Sequence, residues 1–424
     1  MDELIKRALE KQNPWWFNKP YNQGINRLDY YLEIQKYLTA EEALIILGAR
    51  RTGKSTILLQ IIDFLKINPK RILLINLDEP IFQSKSDDPT FLSDLIENYI
   101  VENEIKDKFY VFIDEIQNYD YWIQTIKTQY DINKKIKFIL TGSTAVLLKN
   151  VISTRLSGRY FSITISPLSF SEFLKFKNKT NLTIIEKKKL IEKYLQYGSF
   201  PRVVLEKEES LKHDLLKNYF QTIYLKDIIY THKLRNNKDV FDLLYFILSN
   251  VGRLFSYTNI AKTLGIATDT VKEYIDYAES SYLINTVNKY DPSVKIQIAN
   301  LKKIYCIDTG LVNSISFKFS ENKGMMIENL VFNNLFSKQK EIFYYKGNNE
   351  CDFLVKENRK IISAVQVTTS LKDEKVKKRE IAGLLEAMDK YNLQEGLIIT
   401  EDEKEIISFN SKKIKVIPLY EWLE

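Results

Sequence analysis

The sequence predicts a multidomain α/β protein whose first half folds around a parallel sheet covered by helices on both faces. From about residue 43, short apolar runs of strand length alternate with helical stretches, and this alternation is typical of a parallel sheet. The chain has 424 residues, so at roughly 150 residues per domain we expect two to four domains, each with its own core.

The expected elements follow the chain in a regular order. A charged amphipathic helix at 1–12 comes first, and Trp15, Trp16 and Phe17 then predict an aromatic anchor that packs the N-terminal arm on its own domain or on a neighbouring subunit. The runs that predict strands are 43–47, 71–77, 110–113, 137–140 and 160–165. The stretches that predict helices are 55–65, 91–101 and 121–129.

Composition and charge narrow the class of protein. Hydrophobic residues make up 45% and charged residues 28%, as in a folded globular chain, and the 13 glycines and 9 prolines exclude collagen-like or low-complexity sequence. The formal net charge of +7 permits a polyanionic partner without requiring one. Cys306 and Cys351 lack the spacing of a zinc site, and no apolar run reaches the roughly 18 residues of a membrane span. We therefore expect a reduced, cytoplasmic protein without a membrane segment.

A phosphate-binding motif follows the first predicted strand. Residues 48–56 match G-x-x-x-x-G-K-[ST] and read Gly48-Ala49-Arg50-Arg51-Thr52-Gly53-Lys54-Ser55-Thr56. Glycines let backbone N–H groups wrap a phosphate, and the following helix offers its positive N-terminus. We expect Lys54 to reach the β- and γ-phosphates of a nucleotide and the Ser55 hydroxyl to ligate Mg²⁺.

An apolar strand that ends in acid supplies the second half of such a site. Residues 110–115 read Tyr-Val-Phe-Ile-Asp-Glu. We expect Asp114 to hold Mg²⁺ and Glu115 to polarise the attacking water, because water is a poor nucleophile until a base orients and partly deprotonates it. The strand at 71–77 separates the two motifs in the sequence. This insertion is similar to the strand added in the branch of P-loop ATPases that use a catalytic glutamate.

Two further polar features follow the next strands. Thr141 and Ser143 follow the strand at 137–140. A hydroxyl there could contact the γ-phosphate or the attacking water, and an ordinary turn at the end of a strand is an equal alternative. Arg155 and Arg159 precede the strand at 160–165. A guanidinium at a subunit boundary can stabilise the charge on a transferred phosphoryl group, so Arg159 is the preferred candidate for an arginine finger, against a surface basic turn.

Over nearly its whole length the chain resembles an AAA+ ATPase of a broad archaeal and bacterial group. The doubled arginine of residues 48–54 and the Asp114-Glu115-Ile116-Gln117 box carry the resemblance. It implies an ATPase core with a helical lid, a winged helix and a C-terminal restriction-endonuclease-like domain. In that group a Gly-x-Phe/Tyr-Pro element of the lid lies beside the adenine, which assigns this role to Pro201 of Gly198-Ser199-Phe200-Pro201; the alternative is a turn that breaks a helix.

Residues 256–275 predict a helix, a glycine turn at Gly265 and a second helix. The positions that a helix-turn-helix core needs are apolar, namely Ile260, Ala261, Leu264, Ile266, Val271 and Ile275. The candidate DNA contacts are Lys262, Thr268, Thr270 and Lys272, with Lys289, Lys295, Lys302 and Lys303 expected on a wing. Asp269, Glu273 and Asp276 oppose phosphate contact, so a winged helix used only for protein contacts stays an alternative.

From Gly324 onward the pattern changes to a helix followed by hairpin strands. Glu328 lies on the helix 325–336, Asp352 in the apolar run 350–355 and Gln366 in the next strand. This order resembles the core of PD-(D/E)xK nucleases, in which two acids and a third ligand bind Mg²⁺ and a lysine assists the hydrolytic water. Here Gln366 and Thr368 replace the third ligand and the lysine. We therefore expect a degenerate nuclease-like domain that binds DNA or a partner.

Together these features predict five segments and one leading function. The segments are an N-terminal helix and aromatic arm at 1–37, an ATPase core at 38–167, a helical lid at 168–236, a winged helix at 237–316 and a restriction-endonuclease-like domain at 317–424. The leading function is Mg²⁺-dependent ATP hydrolysis by a ring or other oligomer, coupled to remodelling or moving on DNA. One alternative is a nucleotide-switched signalling or scaffold ATPase that binds a protein partner, and a weaker one is an ATP-dependent nuclease.

Overall fold

A computed structural model describes residues 2–145, 158–316 and 323–424 of the chain. The chain divides into two compact units. The first comprises Met1–Ile165 with Ser280–Tyr282, and the second comprises Ser166–Glu279 with Leu283–Glu424.

The first unit is built on a five-stranded sheet in the order β2-β3-β4-β1-β5. The strands are β1 Ala43–Leu47, β2 Ile72–Asn76, β3 Phe109–Asp114, β4 Ile136–Gly142 and β5 Tyr160–Thr164. Every pairing in this sheet is parallel, so the carboxyl ends of the strands lie at one edge. The α/β prediction is therefore confirmed. In space, however, β4 is the strand that lies between β1 and β3, and the strand predicted at 71–77 is the edge strand β2.

Helices cover both faces of this sheet. They are α1 Glu3–Gln12, α2 Leu28–Leu38, α3 Lys54–Leu65, α4 Pro80–Gln83, α5 Phe91–Glu102 and α6 Trp122–Ile132, with short 3₁₀ turns at Pro14–Phe17, Pro69–Arg71 and Ile116–Asn118. Side chains of β1 alternate between two cores, because successive residues of a strand point to opposite faces. Ile45 packs with α1, α5 and α6, whereas Leu44 and Ile46 pack with α2 and α3.

The tandem tryptophans fasten the N-terminal arm to the first unit. The indole N–H groups of Trp15 and Trp16 both point to the carbonyl oxygen of Ile72, at 3.5 and 2.8 Å. Trp16 also stacks on Tyr99 with 5.1 Å between the ring centroids. The arm is therefore anchored on its own domain, one of the two predicted alternatives.

The second unit begins with a helical segment. Its helices are α7 Phe170–Phe176, α8 Ile184–Tyr197, α9 Pro201–Leu205 and α10 Glu209–Thr222, and α10 runs on into a π-helix at Ile223–Tyr230. Capping boxes explain where α7 and α8 start, since Ser169 pairs with Glu172 and Thr183 pairs with Glu186 around the first turn of each helix.

Three helices and a small sheet follow. The helices are α11 Asn237–Leu248, α12 Tyr257–Leu264 and α13 Thr268–Ser280, and the sheet has the order β6-β8-β7 with β6 Leu254–Phe255, β7 Ile284–Asn288 and β8 Lys302–Cys306. Between β7 and β8 lies a short helix, α14 Val294–Ala299. Gly265 ends α12 with φ +70°, a left-handed conformation that favours glycine. Lys302 and Lys303, predicted to lie on a wing, are both buried in the central strand β8 and are therefore not exposed for DNA contact.

The last part of the second unit is a mixed six-stranded sheet in the order β13-β14-β12-β11-β10-β9. Its strands are β9 Glu341–Lys346, β10 Glu350–Glu357, β11 Lys360–Val367, β12 Glu395–Thr400, β13 Glu405–Phe409 and β14 Lys412–Pro418. Its helices are α16 Lys323–Ser337, α17 Glu374–Lys390 and α18 Leu419–Trp422, and α15 Thr309–Ile315 precedes them. The predicted helical region and C-terminal α/β domain are thus both present. No helix in the described residues has the length and apolar character needed to cross a membrane.

Candidate functional site

The loop between β1 and α3 has the backbone curvature of a phosphate cradle. Gly48 has φ +139°, and a Cβ there would lie 2.3 Å from the carbonyl oxygen of Ile165, so only glycine fits. Arg51 and Gly53 also have positive φ, +67° and +101°. These turns bring the chain round so that α3 begins at Lys54 with its positive N-terminal end at the loop. Ser55 and Thr56 lie in the first turn of α3.

Side chains of the loop itself hold this shape. Lys54 is buried, and its ammonium donates hydrogen bonds to the carbonyl oxygens of Gly48 and Ala49, each at 3.0 Å. The Thr52 hydroxyl donates to the same Ala49 carbonyl at 2.9 Å. The lysine ammonium therefore faces the inside of the loop.

Asp114 stands at the carboxyl end of β3, beside Thr141 on β4. The Thr141 hydroxyl donates to Asp114 Oδ1 at 2.5 Å and accepts from the backbone N–H of Glu115 at 2.9 Å. Burial raises the pKa of Asp114, and hydrogen bonds from the hydroxyls of Thr141 and Ser55 oppose the rise. The fold thus brings together Ser55, Asp114 and Thr141, which are far apart in the sequence.

Glu115 and Ser143 lie at the same edge and share one partner. Glu115 has φ +56°, which turns the chain sharply after β3. The side-chain amide of Gln117 donates to the Glu115 carboxylate and to the Ser143 hydroxyl, the latter at 3.1 Å. Leu47 pairs with Gly142, so Ser143 follows at the edge where the loop begins at Gly48. Gln117 is a site residue to which the sequence reasoning gave no role, although its place two residues after Glu115 is a usable signal.

Arg27 is a second residue that the sequence reasoning missed. It is buried, and its guanidinium donates to the carbonyl oxygen of Thr52 at 2.8 Å. The amide of Gln60 on α3 donates to the carbonyl oxygens of Gln23 and Ile25 at 2.9 and 3.0 Å. The segment 23–27 is therefore fastened to both the loop and the helix. Its irregular, polar sequence gives no periodic signal for this role.

Arg159 lies at the opposite edge of the sheet from the loop. Its neighbour Tyr160 pairs with Ala43 at the amino end of β1, whereas the loop leaves the carboxyl end about 15 Å away. The guanidinium pairs with Asp131 at 3.2 Å and lies over the ring of Tyr130. Within one chain, Arg159 is therefore away from the loop. The other arginine of this motif, Arg155, lies outside the described residues.

In the second unit, the Gly198-Ser199-Phe200-Pro201 element forms the turn between α8 and α9. Asp308 accepts hydrogen bonds from the backbone N–H and the hydroxyl of Ser199 at 2.6 and 3.0 Å. Gly198 has φ +70°, and a Cβ there would lie 1.9 Å from Asp308 Oδ1. Pro201 occupies the first turn of α9. The role of Pro201 beside an adenine stays a prediction.

The candidate DNA contacts lie on α12 and α13. Lys262 and Lys272 are exposed, and Thr268 and Thr270 are half-buried. Lys272 is already paired with Asp269 at 2.8 Å. Glu273 and Asp276 are exposed on the same helix, so the surface carries both signs of charge.

The acids predicted for a degenerate nuclease site come together around a lysine from β8. We define the acidic centre as Glu328 of α16 and Glu350 and Asp352 of β10, with Lys303. The Lys303 ammonium lies 3.0 Å from Glu328, 2.9 Å from Glu350 and 3.0 Å from Asp352. Gln366 is adjacent, because its side-chain oxygen accepts from the backbone N–H of Asp352 at 3.1 Å.

Burial and the neighbouring charges shift the pKa values of the acidic centre in opposite directions. Burial lowers the pKa of Lys303, but the surrounding carboxylates outweigh it and hold that pKa well above its usual value. Burial raises the pKa of Glu328 to about 7. Burial also acts to raise the pKa of Glu350, but the ammonium groups of Lys303 and Lys346 lower it below its ordinary value.

The sheet order, the phosphate loop and the acidic strand end define the first unit as a P-loop domain of the AAA class, a class that generally binds ATP with Mg²⁺. Residues 40–174 match the model of an AAA domain, residues 188–322 match a domain of unknown function (DUF8612), and residues 323–422 match a second domain of unknown function (DUF4143). The chain belongs to the same family as the uncharacterized protein MJ1544 of Methanocaldococcus jannaschii, with 32% identity over 92% of this chain and 90% of that protein.

Other relatives and solved structures are similar to this chain. An uncharacterized protein of Haemophilus influenzae is 30% identical over 94% of this chain and 98% of its own length. Replication initiator DnaA bound to AMPPCP and single-stranded DNA is 16% identical, with a TM-score of 0.31 over 62% of this chain and 91% of that one. AMPPCP-bound DnaA from Aquifex aeolicus is 18% identical, with the same TM-score, over 62% of this chain and 90% of that one.

Proposed function

We propose that this chain is a Mg²⁺-dependent ATPase that works as an oligomer and couples ATP hydrolysis to remodelling or moving on DNA. The observation that carries the proposal is the group of side chains at the carboxyl edge of the parallel sheet. Ser55, Asp114 and Thr141 are in hydrogen-bond contact there, next to a loop whose lysine faces inward.

Lys54 binds the β- and γ-phosphates in this proposal. Its ammonium now donates to two neutral carbonyl oxygens of the loop, those of Gly48 and Ala49. Charged phosphate oxygens are stronger acceptors than carbonyl oxygens, so a nucleotide in the loop replaces these bonds with better ones.

Ser55 and Asp114 hold the Mg²⁺. A hydroxyl and a carboxylate are the hard oxygen ligands that this cation prefers. Burial raises the pKa of Asp114, and a cation bound beside it would favour its charged form. When bound, the metal neutralises charge that develops on the phosphate oxygens.

Glu115 is the base that orients and deprotonates the water attacking the γ-phosphorus. Gln117 donates to its carboxylate and also to Ser143, so the carboxylate is held at the edge where the loop begins. Thr141 links Asp114 and Glu115, because one hydroxyl contacts the carboxylate of the first and the backbone N–H of the second. The two acids are therefore connected through one hydroxyl.

Arg159 supports the oligomer. It is about 15 Å from the loop of its own chain, at the other edge of the sheet. A role in stabilising the transferred phosphoryl group then requires that it act on the nucleotide of a neighbouring chain. Its pairing with Asp131 is at the protein surface, where ion pairs are weak enough to exchange partners.

The helix-turn-helix of α12 and α13, with the sheet β6-β8-β7, supports DNA binding as a winged helix. Lys262 is exposed, and it has no ion-pair partner within the described residues. Thr268 and Thr270 are half-buried at the start of α13, where hydroxyls and backbone N–H groups suit phosphate oxygens. Phosphate contacts therefore fit this surface better than base readout.

A second candidate function is a nucleotide-switched ATPase that binds a protein partner. Its support is the surface between β7 and β8, where Val294 is 66% exposed and Ile298 is 68% exposed. Exposed aliphatic side chains suit a protein surface better than a phosphate backbone. Asp269, Glu273 and Asp276 on α13 also favour a protein partner, because carboxylates oppose phosphate contact.

Steady-state ATP hydrolysis measured without DNA and with single strands, duplex and a four-way junction tests the proposal and separates the two candidates. We expect one DNA form to stimulate hydrolysis, with less stimulation as salt rises. Hydrolysis that depends on Lys54 and that no DNA form changes would favour the protein partner. No hydrolysis under any of these conditions would contradict both.

A further inference from the structure

We propose that the acidic centre of the C-terminal domain is closed by its own lysine: the Lys303 ammonium takes the position that a divalent cation takes in a PD-(D/E)xK nuclease. The centre is then a metal-free joint between β8 and the mixed sheet, and not a nuclease site. This inference is independent of the ATPase proposal.

The Lys303 ammonium occupies the position between the three acids. Its ammonium has three N–H donors, and three carboxylates from Glu328, Glu350 and Asp352 accept at 2.9 to 3.0 Å. A Mg²⁺ or Ca²⁺ ion binds carboxylate oxygens at roughly 2.0 to 2.6 Å. Such an ion at this point would overlap the ammonium, and the Lys303 side chain is only 2% exposed, so it has little freedom to move aside.

Other donors of the chain also bind Glu328 and Asp352. The Tyr305 hydroxyl donates to Glu328 at 2.7 Å, and the backbone N–H of Val367 donates to Asp352 Oδ2 at 2.9 Å. Gln366, the predicted third metal ligand, uses its oxygen on the backbone N–H of Asp352 and its amide on Glu380. Each predicted ligand therefore already has hydrogen-bond partners within the protein.

The origin of Lys303 explains why the motif looks incomplete. The position of the motif's lysine, directly after β11, holds Thr368, while Lys303 comes from β8 of the preceding small sheet. The role of the lysine also differs, because the Lys303 ammonium pairs directly with the acids and does not assist a water molecule. Among the described residues, no group of three or more acidic, histidine or cysteine side chains is arranged to hold a metal.

The exclusion of metal ions is not caused by a lack of access to the three acids. A cavity of about 470 Å³ opens beside the centre and is lined by all three acids together with Lys346 and Arg379. Hydrated ions can therefore reach the carboxylates, and the ammonium is what keeps them out. This makes a direct prediction: removing the ammonium should create a cation site.

The test is Mn²⁺ binding to the full-length chain, measured by electron paramagnetic resonance. The variant Lys303→Met removes the charge but keeps most of the volume, and Lys302→Met on the same strand is the matched control. Each chain is compared with its Asp352→Asn partner, so that Mn²⁺ at the phosphate loop cancels. We expect Lys303→Met to bind one Mn²⁺ that its Asp352→Asn partner lacks, and Mn²⁺ to raise its melting temperature. Wild type and Lys302→Met should show no such difference.

Two results would overturn the proposal. One is Mn²⁺ binding or Mg²⁺-dependent DNA cleavage by the wild-type chain that is lost in Asp352→Asn. The other is a folded Lys303→Met chain that binds no additional Mn²⁺. If Lys303→Met does not fold, the comparison of wild type with Asp352→Asn decides the question alone, since the proposal requires the two to bind equal amounts of Mn²⁺.

Discussion

The hydroxyl of Thr141 links two consecutive acids, Asp114 and Glu115: it donates to Asp114 Oδ1 at 2.5 Å and accepts from the backbone N–H of Glu115 at 2.9 Å. The bridge exists because β4 lies directly beside β3 in the sheet, with Ile113 opposite Leu140. One side chain thus holds the proposed metal ligand, Asp114, close to the proposed base, Glu115.

Thr141→Val is expected to lower the turnover number for ATP while leaving ATP affinity nearly unchanged. Removing a hydrogen bond that orients a metal ligand typically costs about 10- to 100-fold in activity or metal affinity. Thr141→Ser keeps the hydroxyl and should retain activity. Steady-state kinetics with a Mg²⁺ titration measures both quantities, and equal rates for Thr141→Val and wild type would remove Thr141 from the site.

Arg159→Ala is expected to lose ATP hydrolysis, because the finger it supplies acts on the nucleotide of another chain. Mixing it with Glu115→Gln, which is inactive for a different reason, should restore part of the activity. The mixed oligomer contains interfaces in which an intact Arg159 faces an intact Glu115. Asp131→Ala is the control, since it removes the surface partner of Arg159 and should stay active. A fully active monomer, identified by light scattering with ATP bound, would refute this prediction.

Lys262→Ala is expected to weaken DNA binding and to reduce the slope of log affinity against log salt by about 1, as for the loss of one phosphate contact. Lys272→Ala is the matched control on the same surface, and its effect should be smaller because Asp269 already pairs with it at 2.8 Å. Fluorescence anisotropy across a salt series measures both variants. Identical slopes for both variants and wild type would argue against DNA contact at α12 and α13.

The stability of the second unit is expected to fall as pH rises from about 4 to 6 because of Asp308. Burial raises the pKa of this carboxyl from 3.8 to about 6. Between these values the folded chain holds a proton that the unfolded chain has lost, so the free energy of unfolding decreases with pH, by up to about 3 kcal/mol. Above pH 6 both states are ionised and this contribution stays lost.

Calorimetric melting of wild type and Asp308→Asn from pH 4 to 7.5 checks this prediction. The asparagine cannot titrate, so the variant should lack this part of the pH dependence. Ser199→Ala is the control, because it removes one hydrogen bond to the carboxyl but leaves the titrating group in place. The same pH dependence in wild type and Asp308→Asn would show that Asp308 does not titrate in this range.

Local signals were enough to predict the parallel sheet, the phosphate loop and the acidic end of β3. Each of them depends on residues close together in the sequence, such as Gly48, Lys54 and Asp114. Glu328, Asp352 and Gln366 could also be named, because each stands at a recognisable place on a helix or strand.

Long-range contacts could not be predicted in this way. The sequence around Lys303 indicates only a place on a wing, and nothing near it in the sequence shows that three acids surround it. The roles of Arg27 and Asp308 could not be predicted for a similar reason. Each fixes a distant turn, and their partners, Thr52 and Ser199, become neighbours only in the folded chain.

The most direct test of the central claim is steady-state ATP hydrolysis by wild type, Lys54→Ala and Glu115→Gln, with nucleotide binding measured in parallel. We expect hydrolysis by wild type, no measurable turnover by Lys54→Ala, and a loss of roughly 10²- to 10⁴-fold in Glu115→Gln, the usual contribution of a general base. Glu115→Gln should still bind ATP. Hydrolysis by Lys54→Ala at the wild-type rate would contradict the assignment of the phosphate loop and with it the proposed function.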